Sequence, residues 1–280
     1  MPMAKTGRPI KVAILDLYDG LENDAIRSFQ DILERYKAKN DLELTYELFE
    51  VRKRCEMPGL EFDIYIASGG PGSPLDTEGS EWEKKYFNLI GELENHNLSD
   101  DPQKKYGFFV CHSFQLMCRH YKLGYINERR TTSFGILPVH KTSAGLNEPV
   151  FDDLTDPFYA VDSRCWQVIH PNEKQFTDLG MQLLAIEKER PHIDLPQAMM
   201  AVRYSDYFIG TQFHPEADPE VMRAMLLKPH KKKEVVDEHG LDKYNEMLEL
   251  LDDADKLAHT QNTMIPNFLD EAVLSLQEDE

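Results

Sequence analysis

Cysteine is scarce in this chain: Cys55, Cys111, Cys118 and Cys165 are the four among 280 residues. That count excludes a disulfide framework as the source of stability, and free thiols in a reducing cytoplasm are expected instead. No apolar stretch approaches the roughly 20 residues that a spanning helix needs, and the opening MPMAKTGRPIK holds no apolar segment suited to a secretory signal. No membrane contact is expected. Positive charge is also short, since 31 Lys and Arg face 50 Asp and Glu for a formal net charge of -19. A phosphate backbone needs a basic surface, so nucleic acid is excluded as the main partner. There is no internal repeat and no low-complexity tract, and no glycine-rich loop ends in the Lys-Ser or Lys-Thr of a phosphate-binding P-loop.

What is present reads as alternating strands and helices. Residues 10–17 (IKVAILDL) form a short, apolar, β-branched run that predicts a buried strand. Apolar residues at helical spacing predict a helix over 21–36, and residues 42–50 alternate as a strand. FDIYIAS (62–68) is a strand that runs straight into GGPGSP, and 82–93 is helical. YGFFV (106–110) is a strand ending at Cys111, and 112–121 suits a helix. This alternation implies a doubly wound, flavodoxin-like α/β fold, with a mostly parallel sheet covered by helices on both faces. The middle section is richer in strands, namely GILPVH, PFYAVD, WQVIH, LLAIE, QAMMAVRY and YFIGTQF, the last pair a hairpin turning near 205–206. A helix starts near Pro219. Beyond it, the run KKKEVVDEHG reads as a solvated connector, 241–257 as an amphipathic helix and 268–276 as a short helix after Pro266. The expected organisation is one domain over 1–228 and a helical extension over 229–280. The apolar stripe of that extension must pack on the core or on a second subunit, so a homodimer is one expectation.

Three short segments carry chemistry. Cys111 stands where a strand turns into a helix, the sheet edge at which open α/β folds place ligands. The positive end of the following helix dipole favours a thiolate there. Read by itself, an inert buried cysteine accounts for the position as well. In QFHPE (212–216), His214 can take a proton from a thiol, and Glu216 can hold the imidazole in the right tautomer. A surface ion pair explains an isolated His-x-Glu equally. In SGGPGSP (68–74), Gly69 and Gly70 let the backbone turn its N–H groups toward an oxyanion, although a tight surface loop has the same composition.

Taken together and in this order, SGGPGSP, VCHSFQ and QFHPE resemble the class I (triad) glutamine amidotransferases, including the glutaminase domain of GMP synthase. The resemblance spans about 11–226 in element order, and only these motifs are specific. It implies Cys111 as nucleophile, His214 as general base and then acid, and Glu216 as the orienting carboxylate. It implies an oxyanion hole from the backbone N–H groups of Gly70 and His112, beside Gly69, and places Gln115 near the substrate. It implies hydrolysis of the glutamine side-chain amide through a γ-glutamyl thioester, with no cofactor and no metal. The small-molecule substrate would be glutamine or another γ-glutamyl amide, and a synthase partner would receive the ammonia.

The chain departs from the family pattern at four points. Phe109 and Ser113 stand where the nucleophile motif has glycines, so crowding of the turn and a narrower space beside the thioester are expected. Where the family has a Ser-His-x-Asp-x-Val stretch holding the substrate's amino and carboxylate ends, this chain reads Ser163-Arg164-Cys165-Trp166-Gln167-Val168. Ser163 and Arg164 are thus candidate substrate contacts, and Arg164 and Trp166 are expected to change that pocket. SGGPGSP is not the ATP-binding SGG-x-D-S of GMP synthase, which points to a stand-alone subunit. Two rival readings follow: a γ-glutamyl hydrolase or amidase on another substrate, and a non-catalytic member that binds a metabolite or protein. Other residues read as structural: Cys118 as core, and His140, His170 and His192 as structural or solvated. A zinc site from Cys111, His112, Cys118 and His120 is disfavoured, because one continuous helix cannot wrap them around a metal.

Overall fold

Strand β1 (Ile10–Asp16) shows why short apolar runs become the centre of this sheet. Val12 and Ile14 face one hydrophobic cluster while Ala13 and Leu15 face another, so a two-residue period is buried on both sides and reads as continuous apolar sequence. The same division recurs in β3 (Ile64–Ala67) and β4 (Tyr106–Val110). The computed structural model describes residues 9–190, 192 and 194–278; the polar lead, 1–8, lies outside them.

In chain order the elements are β1, α1 (Ala25–Asn40), β2 (Leu44–Glu50), α2 (Val51–Arg54), β3, α3 (Glu81–Leu98), β4, α4 (His112–His120), β5 (Tyr125–Lys141), β6 (Phe158–Ile169), α5 (Glu173–Leu179), β7 (Gln182–Glu187), β8 (Met199–Arg203), β9 (Phe208–Thr211), α6 (Pro219–Leu226), α7 (Pro229–His239), α8 (Leu241–Asp252) and α9 (His259–Glu278). The sheet has nine strands in the order β2-β1-β3-β4-β9-β8-β7-β5-β6. Pairings from β2 to β9 are parallel and those from β9 to β6 antiparallel. The expected α/β fold is therefore present, its parallel half built by helical crossovers and its antiparallel half by hairpins. Helices α3 and α4 cover one face, and α1 and α9 the other.

Several local expectations are corrected. Helix α1 begins at Ala25 rather than at 21, because Asp19 (φ 57°) and Gly20 (φ 75°) turn the chain first, and Leu21 is left exposed. PFYAVD and WQVIH are one strand, β6, and its partner β5 extends back through the polar residues YINERRTTSF to Tyr125. KKKEVVDEHG is a helix, α7, rather than a connector. Lys231 pairs with Glu234 and Lys233 with Asp237 along the helix, and Val235 is buried. The helix expected over 241–257 ends at Asp252, after which the Asp253 carboxylate caps the next turn by accepting from Asp255 N–H. Pro266 lies inside α9 rather than before it. An interior proline costs about 3 kcal/mol. Met264, Ile265, Phe268, Leu269, Ala272 and Val273 join the main core, and each large apolar side chain returns roughly 1.5–3 kcal/mol on burial. Of the two places open to the extension's apolar stripe, α9 takes the core of its own chain, while α6, α7 and α8 bury a separate cluster against Ile136 and Val161.

Candidate active site

Three loops from the carboxyl ends of β3, β4 and β9 meet at one point. A Cβ added to Gly69 would stand 3.0 Å from His214 Cε1, 3.1 Å from the Tyr18 hydroxyl and 3.4 Å from Cys111 Cβ. Any side chain at 69 would push these groups apart. Gly70 is tighter still, since a Cβ there would lie 2.4 Å from the Leu17 carbonyl oxygen. The two glycines are needed for this close approach.

Cys111 occupies the turn between β4 and α4 with φ 51° and ψ -97°, a conformation that costs an L-residue about 1–3 kcal/mol and that clusters at functional sites. Its N–H donates to the Thr211 carbonyl at 2.7 Å, and its own carbonyl accepts from Gln115 N–H at 3.0 Å, opening the helix. The two departures at the missing glycines fit without crowding this turn. The Phe109 ring points into the cluster on the α4 side, edge-to-face with Tyr204 and Phe208, and occupies space left by Gly107. Ser113 is buried, and its hydroxyl donates toward the Ala67 and Val110 carbonyls (2.8 and 2.9 Å) while accepting from Val110 N–H at 2.7 Å. It fastens the turn from behind.

His214 is set by an isolated bridge between its backbone and Val161, its N–H donating to the Val161 carbonyl at 2.8 Å. Its Nδ1 lies 2.8 Å from Glu216 Oε1. Burial penalises the charged imidazole, but the Glu216 and Cys111 charges outweigh that penalty and hold the His214 pKa well above its ordinary value. Glu216 is itself buried. Its Oε2 has no hydrogen-bond partner among the described residues, and Gln261 Nε2 holds its backbone carbonyl at 3.3 Å.

The remaining candidates are placed less uniformly. Gln115 lines the site, but its Nε2 donates to the Trp166 carbonyl and to Gln212 Oε1, both at 3.0 Å. Gln212 Nε2 in turn donates to Cys111 Sγ at 3.7 Å. The Ser163 carbonyl lies 3.9 Å from Cys111 Sγ. Arg164 is almost wholly buried, its Nε donating to the Asp162 carboxylate (2.9 and 3.0 Å) and its Nη2 lying 3.3 Å from Glu187. The Nε edge of the guanidinium is thus fixed by Asp162, while Nη1 and Nη2 have no hydrogen-bond partner among the described residues. The His112 imidazole is buried, neither ring nitrogen has a partner among the described residues, and burial pushes its pKa down to about 3. Cys118 is core, its thiol 3.6 Å from the Tyr204 hydroxyl and pushed up to about 12 by burial.

Four contributors are not signalled as site residues by the sequence. Tyr18 follows the end of β1, where the carboxyl-edge rule could have found it. Gln212 opens the QFHPE motif. Arg52, from α2, has its Nη1 donating to the Leu17 and Pro71 carbonyls at 3.2 and 2.7 Å, while its guanidinium lies over Trp82; nothing in its local sequence signals this role. Arg119 similarly donates to the Pro74 carbonyl, so two arginines fasten the glycine loop.

A cavity of about 630 Å³ opens beside Cys111 and His214, bounded by the turn after β1, the glycine loop, β5, β6 and α6. Its volume lies in the range of sites that enclose a drug-sized ligand. Among the described residues, no three His, Cys, Asp or Glu side chains gather as a metal site, and no helix is long and apolar enough to cross a membrane.

The family model for class I glutamine amidotransferases (Glutamine amidotransferase class-I) matches residues 21–232, and the chain belongs to this family. No curated protein matches it by sequence. Among solved structures, it is similar to a glutamine amidotransferase from Thermotoga maritima, with TM-score 0.67 and 15% identity over 95% of this chain and 99% of that one. It is also similar to a glutamine amido transferase from Methylobacillus flagellatus, with TM-score 0.63 and 15% identity over 96% and 95%. A third is the CTPS glutaminase domain of Trypanosoma brucei with bound acivicin, with TM-score 0.52 and 15% identity over 74% and 86%. At these identities the structural likeness speaks for the fold alone.

Proposed function

We propose that the chain hydrolyses the side-chain amide of glutamine to glutamate and ammonia through a Cys111–His214–Glu216 triad. The observation that carries this reading is the meeting of Cys111, His214 and the glycine loop at Gly69, with Glu216 2.8 Å behind the imidazole. His214 takes the thiol proton, and the sulfur attacks the γ-carbonyl carbon. Backbone N–H groups of Gly70 and His112 stabilise the oxyanion, and Arg52 holds the Gly70 loop from outside. Ammonia leaves with a proton from His214, and water cleaves the γ-glutamyl thioester. Arg164, fixed at Nε by Asp162, lines the substrate pocket. A synthase partner is the proposed acceptor of the ammonia, and the four free thiols suit a reducing cytoplasm.

The test is glutamate release from glutamine by the purified protein and by Cys111→Ala. Turnover by the wild type alone supports the reading; equal release by both, or none by either, rejects it.

A further inference from the structure

Free glutamine releases ammonia, which needs almost no space, yet the cavity beside Cys111 encloses about 630 Å³. Part of its lining is apolar: Leu21 precedes α1, Phe134 and Val161 come from β5 and β6, and Val221, Met222 and Met225 come from α6. Asp218 sets that helix by accepting from Glu220 and Val221 N–H at 2.8 and 3.0 Å, so the wall is fixed directly after the His214–Glu216 loop. Leu21 is exposed, and Phe134 and Met225 are only half-buried. Apolar surface of this kind in a concave site is stabilised by an apolar occupant that removes it from water.

Charge narrows the class. Glu22, Asp24 and Asp218 line the cavity, and the only Lys or Arg among its described lining residues, Arg164, is buried with its Nε on Asp162 and its Nη2 3.3 Å from Glu187. Three lining carboxylates, Glu22, Asp24 and Asp218, face one buried arginine, so an anionic substituent on the substrate is disfavoured.

We propose that this wall is a leaving-group subsite, and that the preferred substrate is a γ-glutamyl amide whose nitrogen carries an apolar, neutral or cationic substituent. The proposal rests on the thiol amidase reading above and names its substrate class. The Cys111 sulfur bonds the γ-carbonyl carbon, the C–N bond breaks, and the amine leaves with the proton carried by His214. Water then adds to the thioester carbon, the C–S bond breaks and glutamate departs.

The test compares kcat/KM for glutamine, γ-glutamylbenzylamide and γ-glutamylglutamate, with diazo-oxo-norleucine labelling of Cys111 run alongside. The subsite predicts at least a tenfold preference for the benzylamide over glutamine, with γ-glutamylglutamate below both. It also predicts that Phe134→Ala and Met225→Ala lower the benzylamide value at least tenfold more than the glutamine value. Glutamine equal to or better than the benzylamide, or γ-glutamylglutamate as the best substrate, overturns the subsite and leaves the amidase reading standing. If no γ-glutamyl compound turns over and Cys111 resists the label, the amidase reading falls and the subsite with it.

Discussion

His214 and Glu216 are joined at 2.8 Å across a single proline, in a loop whose backbone is bridged to Val161 on β6. The pair sits where the imidazole also senses Cys111, and its pKa is raised well above 6.5. A pKa raised by folding stabilises the protein fully below the unfolded value, and that contribution fades as pH rises through the folded value. Glu216→Gln should therefore unfold more easily than the wild type near pH 6, with the gap closing toward alkaline pH. Urea unfolding across pH 6 to 10 measures it. The same substitution should lower kcat by about 10³–10⁴-fold, as loss of the orienting carboxylate does in related triads.

Gly70 has no room for a methyl group, because a Cβ would meet the Leu17 carbonyl at 2.4 Å. Gly70→Ala should displace the loop and cost roughly 10²–10³-fold in kcat, the usual effect of losing one oxyanion donor. Steady-state kinetics on glutamine check this, with circular dichroism to confirm folding.

His112 works in the opposite sense to His214. Buried and held neutral to about pH 3, it refuses a proton that the unfolded chain accepts near 6.5. Its contribution to stability is present above pH 6.5 and is lost as pH falls toward 3. His112→Leu should flatten that part of the acid-unfolding curve, as read by urea midpoints between pH 7 and 4.

Phe268 on α9 meets Phe108 at 5.1 Å and Tyr106 at 6.4 Å between ring centroids and is fully buried. Phe268→Ala should cost about 3–5 kcal/mol, the range for truncating a core phenylalanine. An effect below 1 kcal/mol in denaturant unfolding would show that α9 is not part of the core.

The sequence made the sheet centre legible because Val12, Ile14, Ile64, Ile66, Phe108 and Val110 are buried by the local pattern itself. The arm of β5 from Tyr125 to Thr132 stayed hidden because it is polar, half-exposed and interrupted by a register shift between Glu128 and Ser133. Helix α7 was hidden because its charges pair along the helix, a pattern that composition alone reads as solvated chain. In the site, Cys111 and the His214–Glu216 loop were visible as short motifs. Gln212 on the Cys111 sulfur, 101 positions away, and Arg52 on the glycine loop are contacts only folding creates. The bond from Arg164 Nε to Asp162, two positions earlier, was likewise not legible, because a residue type says nothing of its neighbours.

Selective reaction of one thiol tests the triad most directly. Cys111 is buried and Cys165 exposed, so a reagent governed by access alone modifies Cys165 first. With a diazo-oxo-norleucine-type glutamine analogue, peptide mass spectrometry should find the adduct on Cys111, and His214→Ala should slow its formation at least a hundredfold. An adduct confined to Cys165, or labelling of Cys111 unaffected by His214→Ala, would contradict the account.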